Sequence, residues 1–185
     1  MLLYKDLNID IPLFKKGYDF SQTSNHPWSL FDINFINQDM KIFFNTLGLE
    51  IYFAGLFTTI GKINTTIHLD GHNLGNHAKL NWVISSNDDH RMNWYKVKDN
   101  IKLTPSIRLP ENNLPKREYV NFTGDEVEYI DSHTVKYPSL INAGLPHNVS
   151  NHRGIRKCLS IALKNFDQQS ISMAKAIHLF KDYIG

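Results

Sequence analysis

At 185 residues the chain has the length of one domain able to bury a sizeable core. Its 20 lysines and arginines against 18 acids leave a formal charge of +2, with no basic run, so composition offers no nucleic-acid footprint. The single cysteine, Cys158, excludes an internal disulfide and reads as a buried, inert thiol rather than a nucleophile.

The chain opens Met1-Leu2-Leu3-Tyr4-Lys5-Asp6-Leu7, where charge quickly interrupts the apolar residues. Neither a signal peptide nor a membrane span is visible, so the expected location is cytoplasmic, with no membrane partner. Asn-x-Ser/Thr triplets at Asn64, Asn121 and Asn148 carry no glycan meaning without a secretory signal.

Residues 1–48 read as an N-terminal helical or irregular layer. Its best helix candidate runs from Ile33 to Phe44, with Gly48 as the stop. Strand signals follow at Glu50–Thr59, Lys62–Leu69, Lys79–Ser85, Trp94–Lys98, Glu126–Ile130, Thr134–Tyr137, Ser139–Asn142 and Ile155–Leu163. A run of short strands without long helices between them predicts a sandwich or barrel rather than a parallel βαβ sheet. Pro105 to Lys116, with three prolines in a polar stretch, reads as a long loop, either a lid or a plain surface excursion. From Ser170 to Ile184 the apolar residues Met173, Ala176, Ile177, Phe180 and Ile184 recur at helical spacing, the pattern of a packing helix or a dimer contact. The expected organisation is thus a single domain, 1–185, with a β core over 49–163 and a C-terminal helix over 168–184.

Four side chains carry chemistry: His68 and Asp70 in His68-Leu69-Asp70, His147 in Leu145-Pro146-His147-Asn148-Val149, and Arg156 downstream. Residues two apart on a strand project from one face, so His68 and Asp70 can reach one ion while Leu69 points into apolar packing. A His-x-Asp/Glu triplet is expected roughly once by chance in such a composition, so its context matters. His68 ends the β-branched stretch Lys62–Ile67 and Gly71 follows as a turn signal; Gly144 and Pro146 mark a bend before His147. Two imidazoles and one carboxylate leave coordination positions open, which suits iron(II) chemistry and differs from closed structural zinc sites. Arg156, Cys158, Ser160 and Ala162 share one face of the last strand, opposite Ile155, Lys157, Leu159, Ile161 and Leu163. An arginine on a face lined by small residues can grip a carboxylate with two parallel hydrogen bonds.

Over Glu50–Leu163 this pattern resembles the Fe(II)- and 2-oxoglutarate-dependent oxygenases, in the branch of prolyl and aspartyl/asparaginyl hydroxylases. The resemblance implies a mainly β fold, a double-stranded β-helix (jelly roll, cupin-like barrel) with flanking N- and C-terminal helices. It implies His68 and Asp70 as the paired metal ligands on the second strand, His147 as the distal ligand on the seventh, and Arg156 on the eighth as the residue binding 2-oxoglutarate. Asn81 falls where such hydroxylases often hydrogen-bond the co-substrate, against the alternative of satisfying a rim backbone group; Asn142 is a weaker candidate of the same kind. The implied activity hydroxylates an unactivated C–H bond of a peptide side chain or small metabolite, with release of succinate and CO2, Fe(2+) as metal and ascorbate as an optional reductant. The protein is expected to act as a monomer or homodimer.

Alternatives stay open at this level. His72, His77, His133 and His152 compete as ligands or line the entrance, and Arg153 competes with Arg156 although Gly154 separates it from the strand. Trp82, Trp94 and Tyr95 read as core or rim aromatics. A cupin-like metal enzyme without 2-oxoglutarate would use the same barrel, but its usual His-x-His pair with a following Glu is absent. In a non-catalytic jelly-roll structural or binding protein, His68 and His147 would never meet.

Overall fold

A computed structural model describes residues 2–19, 23, 25–71, 74–84, 89–108, 117–136 and 138–185, with backbone alone at 107, 108, 117 and 118. The protein is mainly β, with two antiparallel sheets and two helices. The strands are β1 (Tyr4–Asp6), β2 (Trp28–Leu30), β3 (Leu49–Ile60), β4 (Ile63–Asn64), β5 (Ile67–Asp70), β6 (Ala78–Val83), β7 (His90–Val97), β8 (Ser106–Arg108), β9 (Arg117–Phe122), β10 (Val127–His133), β11 (Ser139–Asn142), β12 (His147–Asn151) and β13 (Ile155–Asn165). One sheet has six strands in the order β1-β11-β6-β13-β3-β2. The other has seven, in the order β10-β7-β12-β5-β9-β8 with β4 paired to β12.

Pairing within the core is nested. β3 pairs with β13, β5 with β12, β6 with β11 and β7 with β10. In chain order these eight strands alternate between the sheets, with one reversal at β7 and β10. The chain is thus a long antiparallel ribbon folded over itself, and strands carrying neighbouring ladder positions face each other across the interior.

The middle of the six-stranded sheet is buried on both faces. Leu159, Ile161 and Leu163 of β13 and Ala54 and Leu56 of β3 pack outward with Met40, Phe43 and Phe44 of helix α1 (Gln38–Thr46) and Met173 and Ala176 of helix α2 (Met173–Leu179). Each large aliphatic or aromatic side chain buried in this layer contributes roughly 1.5–3 kcal/mol. The alternation expected in the last strand therefore holds on both faces: one meets the helices, and the other, with Arg156, Cys158 and Ser160, lines a cavity between the sheets.

Several element boundaries differ from expectation for local reasons. Helix α1 starts late because Ile33–Phe35 form a 3-10 turn and Asn37 caps the helix by accepting from the Asp39 amide at 3.1 Å. Gly48 follows as the stop with φ +71°, a conformation glycine adopts without Cβ strain. Lys62–Leu69 splits into β4 and β5 because Thr65 is tied to Val149 by its amide and its hydroxyl, each at 2.9 Å. Thr134–Lys136 is not a strand: β10 ends at His133, and the following residues carry the chain to the other sheet while Val135 plugs the core. The expected loop at Pro105 begins with β8, which pairs with β9, a strand the sequence patterns missed; residues 109–116, Ser85 and Tyr137 lie outside the described residues. The C-terminal apolar stripe is a packing helix, capped by Ser172 accepting from the Lys175 amide. Among the described residues no helix is long and apolar enough to cross a membrane.

Candidate metal centre

The ends of β5 and β12 meet in register, His147 directly opposite His68, so both side chains leave the seven-stranded sheet on its inner face together with Asp70. Leu69, fully buried, turns outward into a cluster with Val120, Phe122 and Val127. The imidazole centroids are 4.6 Å apart. Asp70 Oδ1 lies 3.9 Å from His68 Nε2, and Asp70 Oδ2 lies 3.9 Å from His147 Nε2. One ligand atom from each residue falls within 4.8 Å of the others, a group that can hold a metal ion. These separations are too long for direct hydrogen bonds and suit three donors around one ion.

The backbone sets the imidazole tautomers. His68 Nδ1 lies 3.0 Å from the Thr66 carbonyl and His147 Nδ1 lies 2.8 Å from the Leu145 carbonyl. Each Nδ1–H therefore donates to a carbonyl and leaves the Nε2 lone pair facing the centre, the arrangement by which metal-ligating histidines are oriented. Burial lowers the His147 pKa to about 4, aided by the neighbouring His68, so this imidazole is neutral and ready to ligate at physiological pH. Burial acts to raise the Asp70 carboxyl, but the Lys79 ammonium and then the two imidazoles outweigh it and hold the group well below the usual carboxylate range.

The cavity behind this group measures about 650 Å³. Its inner end belongs to the six-stranded sheet and carries Arg156, 2% exposed, with Asn81, Cys158 and Ser160. Arg156 Nε is buried without a hydrogen-bond partner, and no carboxylate pairs with the guanidinium among the described residues; the Cys158 sulfur beside it is its polar neighbour, and burial pushes that thiol's pKa up. Asn81 gives its amide only to the Met92 sulfur at 3.9 Å, and its Oδ1 is also buried and unpartnered. Buried polar atoms without partners are rare and costly. Three such atoms line one cavity, Arg156 Nε, Asn81 Oδ1 and the Thr59 hydroxyl, and they offer a polar ligand both a donor and acceptors. The lining also includes the exposed Ile60 and Ile63 and Trp28, together with neutral polar side chains such as Thr59, Thr65, Tyr119 and Asn121.

The other candidates separate clearly. Asn142 does not reach the cavity: it donates to Asn76 Oδ1 at 3.0 Å and accepts from the Gly144 amide at 3.1 Å, because β11 directs it toward a loop. His133 bonds Asp6 at 3.0 Å and stacks on Tyr4, and His152 is exposed. His77 is half-buried and donates to the Asp70 backbone, supporting that strand end from outside. His72 lies outside the described residues. Arg153 is exposed and bonds Asp89, unlike Arg156. Trp94 is fully buried and donates to the Asn142 carbonyl, Trp82 packs against the helical layer, and Tyr95 bonds Asn148. Lys79, which sequence reasoning passed over, donates to Asp70 Oδ2 at 2.6 Å.

Comparison with family models, curated proteins and solved structures finds no match to this chain.

Proposed function

We propose that the protein is a non-haem iron(II)- and 2-oxoglutarate-dependent dioxygenase hydroxylating an unactivated C–H bond of a peptide side chain or small metabolite, built on a double-stranded β-helix. The nested strand pairing supports that fold reading, since an antiparallel ribbon wound into two facing sheets is the plan of a jelly roll. The observation that carries the functional reading is the buried Arg156 guanidinium, without an anionic partner among the described residues, in the same cavity as a His-Asp-His group. An isolated buried cation costs several kcal/mol even after relaxation, and a bound dicarboxylate would offset that cost.

The donor set fits the metal. Two imidazole nitrogens with fixed tautomers and one carboxylate, opening onto a cavity, match the facial arrangement of non-haem iron(II). His68, Asp70 and His147 would hold it. Iron(II), when bound, supplies dioxygen activation and couples oxidative decarboxylation of the 2-oxo acid to C–H oxidation. The net balance is 2-oxoglutarate, dioxygen and R–H giving succinate, carbon dioxide and R–OH.

The chain's own part is binding and orientation. Arg156 neutralises the far carboxylate of 2-oxoglutarate with a bidentate grip that a lysine would not match, and Asn81 and Ser160 supply neutral hydrogen bonds along the same wall. The apolar side chains of Trp28, Ile60 and Ile63 exclude water and receive the primary substrate.

Anaerobic titration of the protein with iron(II) and 2-oxoglutarate tests the reading. A weak visible charge-transfer band that needs both additions is expected. Iron binding with no such band would replace the reading with a cupin-like metal enzyme that ignores 2-oxoglutarate. No iron binding would sink both.

A further inference from the structure

We propose that Lys79 makes binding at this centre cooperative: its ammonium competes with a metal dication for Asp70, so the metal binds tightly only together with a dianionic ligand. The proposal rests on the metal-centre reading above. Lys79 stands on β6 of the six-stranded sheet and Asp70 on β5 of the other, so their contact bridges the two sheets. Lys79 Nζ lies 2.6 Å from Asp70 Oδ2, with the side chains only 19% and 29% exposed. This is a short, charge-assisted bond in a shielded place, unlike the solvent-exposed pairs that contribute little. It engages Oδ2, the atom that faces His147.

Charge counting gives the consequence. With both imidazoles neutral, as ligation requires, Asp70, Lys79 and Arg156 sum to +1 before anything binds. A dication alone raises the centre to +3 in a setting where water screens poorly. A dianion arriving with it returns the total to +1, and Arg156, which among the described residues has Cys158 but no carboxylate beside it, can receive one. Metal and dianion therefore each raise the other's affinity, by the same factor, since coupling between sites is reciprocal. Without Lys79 the carboxylate is free for the metal and the coupling shrinks.

Manganese(II) is the probe, its free ion followed by electron paramagnetic resonance, with and without 2-oxoglutarate, in wild type, Lys79→Met, Lys79→Gln and Lys79→Arg. Thermal melts identify any variant that fails to fold. In wild type, 2-oxoglutarate should tighten manganese binding by on the order of tenfold. Lys79→Met and Lys79→Gln should bind manganese alone tighter by a similar factor and gain less from 2-oxoglutarate, whereas Lys79→Arg should follow wild type. Folded Met and Gln variants that bind manganese no tighter than wild type, or more weakly, would overturn the competition and leave Lys79 as a residue that only orients Asp70. Manganese binding by none of the four proteins would instead overturn the metal centre itself.

Discussion

Two clusters that set histidine beside aspartate differ in what their polar atoms have left to give. At Asp6, the His133 ring nitrogen bonds the carboxylate directly at 3.0 Å, Ser139 donates to the same group, and the Tyr4 ring covers the imidazole at 3.8 Å between centroids. At Asp70, two imidazoles stop 3.9 Å short of the carboxylate and give their other nitrogens to backbone carbonyls. The first cluster satisfies itself and clamps β1 against β11 and the end of β10. The second leaves two nitrogen lone pairs and a carboxylate oxygen converging on one point, in the same cavity as an arginine that has no carboxylate partner among the described residues. Residue types alone do not separate a structural cluster from a ligand site. What separates them is whether the hydrogen-bonding capacity has been used up within the protein.

The largest expected contrast comes from altering the two clusters in turn. Asp70→Ala or His147→Ala should weaken manganese or iron binding by more than roughly a hundredfold, beyond what loss of an outer partner to a ligand costs, while Asp6→Asn leaves it unchanged in calorimetric titration. Equal metal affinity in Asp70→Ala and wild type would erase the distinction.

Arg156→Met sharpens it from the other side. Removing a buried, unpaired cation in favour of similar apolar volume should leave the unliganded protein as stable or more stable, by up to about 1–4 kcal/mol in denaturant melts. The same change should abolish the iron- and 2-oxoglutarate-dependent absorbance band. A large loss of stability would mean that the guanidinium has partners inside the protein after all. Asp6→Asn should behave oppositely, costing about 1–2 kcal/mol of stability through weakened charge-assisted hydrogen bonds at a partly exposed site, with the band intact.

The last contrast is in pH. His147 has a folded pKa of about 4 against 6.5 for an unperturbed histidine, so between these values the unfolded chain takes up a proton that the folded chain refuses. The stability contribution is full above about 6.5 and declines as pH falls toward about 4. His147→Gln should flatten this part of the metal-free stability profile; an unchanged slope would show that burial does not disfavour the charged imidazole.

Part of the candidate site was legible because its logic is local: His68 and Asp70 share a face by strand alternation, and Arg156 shares one with Cys158 and Ser160 by the same rule, whereas His147 was joined to them only through the family resemblance. Ser139–Asn142 is a strand over the predicted residues. Asn81 and Asn142 show where this logic ends. Both are buried asparagines on neighbouring strands, yet one faces the cavity with an unpartnered oxygen and the other holds a loop. Which face of a strand looks inward depends on the partner sheet. Lys79 escaped notice for the same reason, since its bond to Asp70 crosses from one sheet to the other and leaves no trace in linear spacing. β9 was missed because its partners β5 and β8, rather than an apolar run of its own, make it a strand.

The nested ribbon also fixes an order of assembly. Among the four nested pairs, loop-closure entropy favours the one with the least intervening chain, β7 with β10, and the other three close outward as β6 with β11, β5 with β12 and finally β3 with β13. The three candidate metal ligands are thus brought together one step before Arg156 is seated. Pulse-labelled hydrogen exchange during refolding should find β7 and β10 amides protected before those of β3 and β13, and a refolding chain should bind manganese before it binds 2-oxoglutarate. Simultaneous protection of all four pairs would refute the sequence of events.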